Sequence, residues 1–293
     1  MPTIDPERLD LILQRLEALL PEPLPEPDFS EHWAFQWRRR SGPLGPQAQL
    51  RPVSQPAWVR VSDLHHIADQ VEQVLRNTRH FVQGLPANNV LMTGARGTGK
   101  SSLVRACLSE FGGQGLRLIE MDRDHLADLP LLADRLQGLP QRFIVFCDDL
   151  SFEAEEPGYK ALKSTLDGGI SAQPANLLIY ATSNRRHLMP ELRSDNLQAR
   201  LDDQGELHPA ESTEEKISLS DRFGLWVSFH SFSQPAYLDI VNHWLGEFGV
   251  PVANWPDARR EALQWATQRG SRSGRVAHAF ARDWSARWRD PSG

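Results

Sequence analysis

Val90-Leu91-Met92-Thr93-Gly94-Ala95-Arg96-Gly97-Thr98-Gly99-Lys100-Ser101 is the stretch that decides how this chain is read. An apolar run, Val90–Thr93, enters a glycine-rich loop, and an apolar-periodic run, Ser101–Phe111, leaves it. The loop matches G-x-x-x-x-G-K-[ST]. Gly94, Gly97 and Gly99 let the backbone wrap around phosphate oxygens in conformations that a Cβ disfavours. The amides of Ala95, Arg96 and Thr98, and those of Ser101 and Ser102 at the start of the next helix, then point at the anion. Lys100 brings a cation to the β- and γ-phosphates, and Ser101 offers a hydroxyl to Mg²⁺. A strand before the loop and a helix after it separate a phosphate cradle from an ordinary glycine-rich turn. The stretch therefore predicts binding of ATP with Mg²⁺.

Outward from the loop, the chain alternates in type. Leu116–Met121, Phe143–Cys147, Leu177–Thr182 and Leu225–Phe229 read as strands, and Leu129–Leu136 and Gly158–Leu166 as helices. Strands alternating with helices indicate a parallel sheet covered on both faces. The continuous apolar run Phe143-Ile144-Val145-Phe146-Cys147 fits a strand buried on both sides. Upstream, residues 63–83 predict a helix with Asp63 as its N-cap. Leu9, Ile12, Leu13, Leu16, Leu19 and Leu20 share a helical face, which the proline run Pro21–Pro27 terminates. Between them lies Trp33-Ala34-Phe35-Gln36-Trp37-Arg38-Arg39-Arg40, read as rings packed on the body with charges left in water. A nucleic acid or acidic partner is the alternative reading of this segment. From about 235 the pattern is helical. Leu238, Val241, Leu245 and Phe248 share one face, and Val276, Phe280, Trp284 and Trp288 another.

Chemistry-bearing residues follow the strands. A buried strand that ends in Asp148-Asp149 has little structural reason to do so, but beside a phosphate loop it has a functional one. Asp148 can hold Mg²⁺ through its waters. Asp149 can orient or deprotonate an attacking water. Ala181-Thr182-Ser183-Asn184 ends another strand, where the Asn184 amide can bind the γ-phosphate or the water. Asp221-Arg222-Phe223 precedes the Leu225–Phe229 strand. Arg275, with Arg272 nearby, lies in the helical C-terminal segment.

Bulk properties narrow the rest. The 293 residues, 40% hydrophobic and 24% charged, suit one sizeable α/β unit with a smaller companion. A net charge of −6 opposes non-specific attraction to nucleic acid. Residues 195–221 carry eight acids and two bases, and are expected to form a solvated, mobile excursion. Cys107 and Cys147 read as reduced buried thiols. No apolar run approaches a bilayer span and the N-terminus lacks a signal-peptide pattern, so a cytoplasmic location without membrane attachment is the expectation.

Taken in order, this set resembles an AAA+ ATPase. Stretches such as Asn77–Phe81, Pro86–Leu91, Cys147–Glu153, Leu162–Gly169 and Ala181–Leu188 resemble a bacterial AAA+ family catalogued as a domain of unknown function, over roughly residues 60–290. The resemblance implies a three-layer αβα P-loop core with a parallel sheet and a small C-terminal helical lid, beside an N-terminal helical extension. Its expected boundaries are 1–60 for the helical or irregular extension, 61–234 for the nucleotide domain and 235–293 for the lid. It implies that Gly94–Ser101 is Walker A and that Asp148 and Asp149 are Walker B. Asn184 corresponds to sensor 1, Arg222 to the arginine finger acting on a neighbouring subunit's ATP, and Arg275 to sensor 2. The second Walker B acid is usually Glu; Asp149 is one methylene shorter, which argues for slow hydrolysis, with Glu153 as an alternative base. The function expected is Mg-ATP hydrolysis coupled to conformational change on an unidentified client, by a homo-oligomer. A slow ATP-dependent switch and a nucleic-acid loader or remodeller are the alternatives. No Asn-Lys-x-Asp base-reading motif supports a GTPase.

Overall fold

Apolar runs bounded by glycine or by charge become strands buried on both faces. The computed structural model describes residues 8–11, 14–15, 27–42, 45–151, 157–167, 173–184, 200–201, 207–208 and 220–290. Strand β3 (Val90–Gly94) leads directly into the glycine loop, and β4 (Leu116–Met121), β5 (Arg142–Cys147), β6 (Leu177–Ser183) and β9 (Leu225–Phe229) complete the expected set. Two further strands, β1 (Ala34–Gly42) and β2 (Gly45–Pro52), extend it. Arg200–Leu201 (β7) and Leu207–His208 (β8) form a separate short pair. The seven-stranded order is β2-β1-β4-β5-β6-β3-β9. β2 runs antiparallel to β1, and every other neighbouring pair is parallel.

Helices close both faces of the sheet. On one face, α1 (Ala68–Val82) and α2 (Lys100–Phe111) bury Val74, Leu103 and Cys107 against Val90, Met92, Phe146 and Phe229. On the other, α3 (Leu129–Leu136) and α4 (Pro157–Asp167) bury Leu132, Leu136 and Leu162 against Leu91, Val145, Cys147 and Ile179. Val90 and Met92 face one layer and Leu91 the other, so β3 is apolar at successive positions instead of alternating. A buried polar knot pins α1 to the sheet. Asn77 donates to the Asn88 carbonyl (2.9 Å) and the Tyr180 hydroxyl (3.0 Å), which also pairs with Thr78 (2.8 Å). Cys107 and Cys147 are free and buried, and burial pushes both thiols up to about 12.

The C-terminal segment is a three-helix unit of α5 (Gln234–Glu247), α6 (Trp255–Gln268) and α7 (Gly274–Arg289). Its own core contains Tyr237, Val241, Leu245, Phe280 and Trp284. Ala258, Ala262 and Ala266 line the inner face of α6 and let the neighbouring helices approach closely. The expected aromatic stripe is buried through Trp284, while Trp288 stays exposed. Among the described residues, no helix is long and apolar enough to cross a membrane.

Two expectations are corrected. The N-terminal extension is not helical or irregular over Ala34–Pro52: it is a hairpin that lengthens the sheet beyond β4. Phe35 and Trp37 are each 1% exposed because they alternate inward from β1, which leaves Arg38 and Arg40 on its opposite face. Asp63 does not cap α1; the N-cap is Ile67, which offers no side-chain hydrogen bond. The Asp63 carboxylate is taken by Arg60 at 2.8 Å and His243 at 3.3 Å, so the helix begins only after His66. Most of the first amphipathic segment and most of the acidic stretch 195–221 lie outside the described residues, as does Glu153.

The chain entering the hairpin is seated on α2 through Trp33. A Cβ built on Gly112, just past α2, would lie 2.2 Å from the Trp33 ring. Gly112→Ala should cost about 1–3 kcal/mol in urea unfolding. Trp33→Leu should cost less in the Gly112→Ala background than alone, because the two side chains compete for one space.

Candidate nucleotide site

The loop is shaped by what its glycines touch. A Cβ on Gly94 would sit 1.9 Å from the Phe229 carbonyl oxygen, so β9 can pair this closely only with a glycine. Gly97 has φ +71°, a left-handed conformation, and its Cβ would meet the Ser273 side chain at 2.8 Å. Helix α2 begins at Lys100 with no side-chain cap and no acid in its first turn. Its leading amides are therefore left for an anion.

Lys100 is buried, and its ammonium donates to the carbonyls of Gly94 and Ala95 (2.8 Å each) and to Asn184 Oδ1 (3.1 Å). Burial holds its pKa below the usual lysine value. Asp148 and Asp149 work against that shift, while Arg96 and Arg275 add to it. Across the cleft, Ser101 Oγ donates to Asp148 Oδ1 at 2.7 Å. Asn184 Nδ2 donates to Asp149 Oδ1 at 2.5 Å. One amide thus joins Lys100 to Asp149. Both contacts demand the same orientation, oxygen toward the ammonium and nitrogen toward the carboxylate.

Asp149 adopts φ +53°, a conformation that Asp tolerates better than most residues. Thr182 holds it there. Its hydroxyl accepts from Asp149 N at 2.9 Å and donates to Asp148 Oδ1 at 2.5 Å. Sequence reading weighed Asn184 in this stretch and passed over Thr182. The signal was the strand pairing: Cys147 pairs with Ala181, which sets Asp148 beside Thr182. A cavity of about 480 Å³ opens off the ends of β1, β4 and β5, lined by Trp37, Arg38, Glu120, Arg123, Asp148 and Asp149.

The lid touches the loop through its backbone. Gly274 N donates to the Gly97 carbonyl at 2.8 Å, and Ser273 caps α7 by accepting from Val276 N. Arg275 stands in the first turn of α7 with its Cβ 3.5 Å from where a Gly97 Cβ would be. The structure gathers Gly94–Ser102, Asp148, Asp149, Asn184 and Arg275 at one edge. Arg222 is directed elsewhere: its guanidinium pairs with Asp167 at the end of α4. Asp167 is a partner that the sequence did not single out.

Thr182→Val keeps the side-chain shape but strands the Asp149 amide. It should cost about 1–3 kcal/mol in urea unfolding. Thr182→Ser should recover most of that loss, since it keeps the hydroxyl.

Solved structures of similar fold were found at low identity. A lysine-to-arginine mutant of Thermotoga maritima RuvB is 15% identical with a TM-score of 0.47, and covers 73% of this chain; this chain spans 60% of that one. The HORMA:CdnC:Trip13 complex of E. coli contains a chain 11% identical with a TM-score of 0.48, covering 88% of this chain and 97% of its own length. Aeropyrum pernix Orc1, solved in complex with DNA, is 14% identical with a TM-score of 0.44, over 75% of this chain and 65% of its own. No curated protein matches the chain. The core is three-layered, with helices on both faces of a mostly parallel sheet, a glycine loop after β3 and a three-helix C-terminal unit. The family described as "Protein of unknown function (DUF815)" matches residues 30–288, and the chain belongs to that family.

Proposed function

We propose that this chain is a Mg²⁺-dependent ATPase of the AAA+ type. The observation that carries the reading is the hydrogen-bonded line Lys100–Asn184–Asp149, which joins a phosphate cation to a candidate base. The three donors of Lys100 now go to two loop carbonyls and Asn184, so phosphate oxygens would exchange with these acceptors. Lys100 then orients the β- and γ-phosphates, while the uncapped start of α2 binds them with its amides. The Asp149 carboxylate accepts the proton of a water attacking the γ-phosphorus, and Asn184 keeps that carboxylate in place.

Two hard oxygen donors, Ser101 Oγ and Asp148 Oδ1, meet at 2.7 Å, a pair that suits Mg²⁺. Among the described residues, no group of three or more His, Cys, Asp or Glu side chains could hold a metal. That agrees with a Mg²⁺ bound by one or two protein oxygens, with waters and phosphates supplying the rest. The ion, when bound, supplies positive charge to the phosphate oxygens. In this reading Arg275 serves the phosphates from the lid, and Arg222, which pairs with Asp167 within one chain, exchanges that partner for a neighbouring subunit's ATP as its finger, which makes a homo-oligomer the active form. The client is an unidentified macromolecule. A second reading, a slow switch, is favoured by Asp149: the acid is one methylene shorter than Glu and held in a left-handed turn.

Lys100→Ala should lose ATP binding by about 2–4 kcal/mol, checked by titration with a fluorescent ATP analogue. Wild-type affinity in that variant would remove the loop from the site. Asp149→Asn should bind ATP as the wild type does and lose turnover. For Arg222, turnover per subunit should rise with protein concentration, and Arg222→Ala should abolish that rise by about 10³-fold or more. Mixing Arg222→Ala with Lys100→Ala chains should restore part of it, because each supplies across the interface what the other lacks.

A further inference from the structure

The β1–β2 hairpin carries an arrangement that the ATP site does not use. On one face, the three successive cross-strand pairs are Gln36 with Arg51, Arg38 with Gln49, and Arg40 with Gln47. Every pair is one arginine and one glutamine. The intervening pairs face the opposite way and include Phe35 and Trp37, which are buried. Register therefore fixes which side is polar. Arg38, Arg40 and Arg51 are exposed, and among the described residues none of them is in an ion pair. The opposite-facing Arg39, by contrast, is paired with Asp128. The Gln36 amide accepts from Arg38 at 3.2 Å and donates to Glu120 at 2.7 Å, so it stands between that guanidinium and the carboxylate on the adjoining strand. Arg123 also lines the cavity, its guanidinium paired with Asp124 and donating to the Ser151 carbonyl at 3.3 Å. Asp148 and Asp149 end the positive strip on the other side of that cavity.

We propose that this ribbon face is a docking surface for duplex nucleic acid, seated by Arg38, Arg40 and Arg51. The chemistry selects the partner. Three exposed guanidiniums outside any ion pair among the described residues, Arg38 and Arg40 about 7 Å apart along β1 and Arg51 across on β2, match a row of phosphates or base edges. Arginine and glutamine are the side chains that pair in bidentate fashion with guanine and adenine edges, and a two-stranded ribbon fits the major groove. A merely acidic protein surface would be met by cations alone and gives no reason for Gln49 opposite Arg38 and Gln47 opposite Arg40. Single strands bind by stacking on aromatic rings. Trp37 lies buried on the other face, and Trp33 is packed on Gly112 and Trp58, so the ribbon offers bases no ring. The acidic end of the cavity limits the contact to the hairpin side. The site is local, so a net charge of −6 does not oppose it at contact distance under physiological salt.

The test is a fluorescence-anisotropy titration of the full chain, in EDTA without nucleotide. The probe is a labelled mixed-sequence duplex of about 20 base pairs, followed from about 50 to 200 mM salt. The wild type should bind the duplex more tightly than either of its single strands. Arg38→Ala, Arg40→Ala and Arg51→Ala should each weaken binding and reduce the slope of log K against log salt by about 0.9. Arg259→Ala, on the lid, should leave both unchanged. Thermal melting of each variant checks that the exposed substitutions leave the fold intact. No binding at low salt would overturn the proposal. So would equal loss with Arg259→Ala, tighter binding of the single strands, or arginine-dependent binding of labelled polyglutamate in place of the duplex. Since no nucleotide is present, none of these outcomes bears on the ATPase reading.

Discussion

Parallel strands deliver their carboxyl ends to a single edge of the sheet, and the site depends on that constraint. β3 lies between β6 and β9, and it ends where Gly94 pairs against Phe229. The same edge receives Asp148 from β5 and Asn184 from β6. Three segments distant in sequence therefore meet without any of them needing a special conformation, except where the chain turns. The two turns that do need one are the glycine loop and Asp149, and each is held by a neighbour: the Phe229 carbonyl for the first, Thr182 for the second. Of these two, only Thr182 acts through its side chain, so only there can a substitution shift the turn.

Charge at the edge is balanced within a few ångströms. Lys100 is buried, which opposes its ionisation, yet it has three acceptors in hydrogen-bond range and two carboxylates close by. A buried ammonium without them would be costly. This explains why the Gly94 and Ala95 carbonyls turn inward toward Lys100; the Ala95 amide, expected to face an anion, instead donates to the Phe229 carbonyl at 3.2 Å. The lid joins this arrangement through the Gly274–Gly97 hydrogen bond and through Arg275, whose charge already reaches Lys100. A second tether lies further along: Arg60 bridges Asp63 to Glu247 on α5. Short contacts thus join the helical unit both to the glycine loop and to the segment ahead of α1.

The hairpin changes how the sheet meets its surroundings. Without it β4 would be an exposed edge, open to pairing with another chain. With it, the outermost strand is β2, which carries Pro46, Arg51 and Pro52; proline and charge discourage edge-to-edge association. The same hairpin also raises one wall of the cavity beside Asp148 and Asp149. An element added to the sheet therefore borders the nucleotide edge, and a ligand on the hairpin would lie a few residues from the candidate base.

By itself the sequence determined the strand–loop–helix at Gly94–Ser101, the apolar strands, the two acids after β5 and the amphipathic C-terminal helices. Each of these is written in local periodicity or in a residue type that only one local geometry accepts. It did not determine the hairpin: Arg38-Arg39-Arg40 hides the alternation, because Arg39 faces the buried side and satisfies its charge with Asp128, a residue about ninety positions away. Nor did it determine the Asp63 cap, since a carboxylate that Arg60 and His243 already hold is no longer free to cap α1. The hydrogen bonds of Thr182, the pairing of Arg222 with Asp167 and the nearness of Arg275 to Gly97 likewise belong to the tertiary structure alone. All depend on which strand or helix lies next to which, and contacts between elements distant in the chain leave no periodic trace within either one.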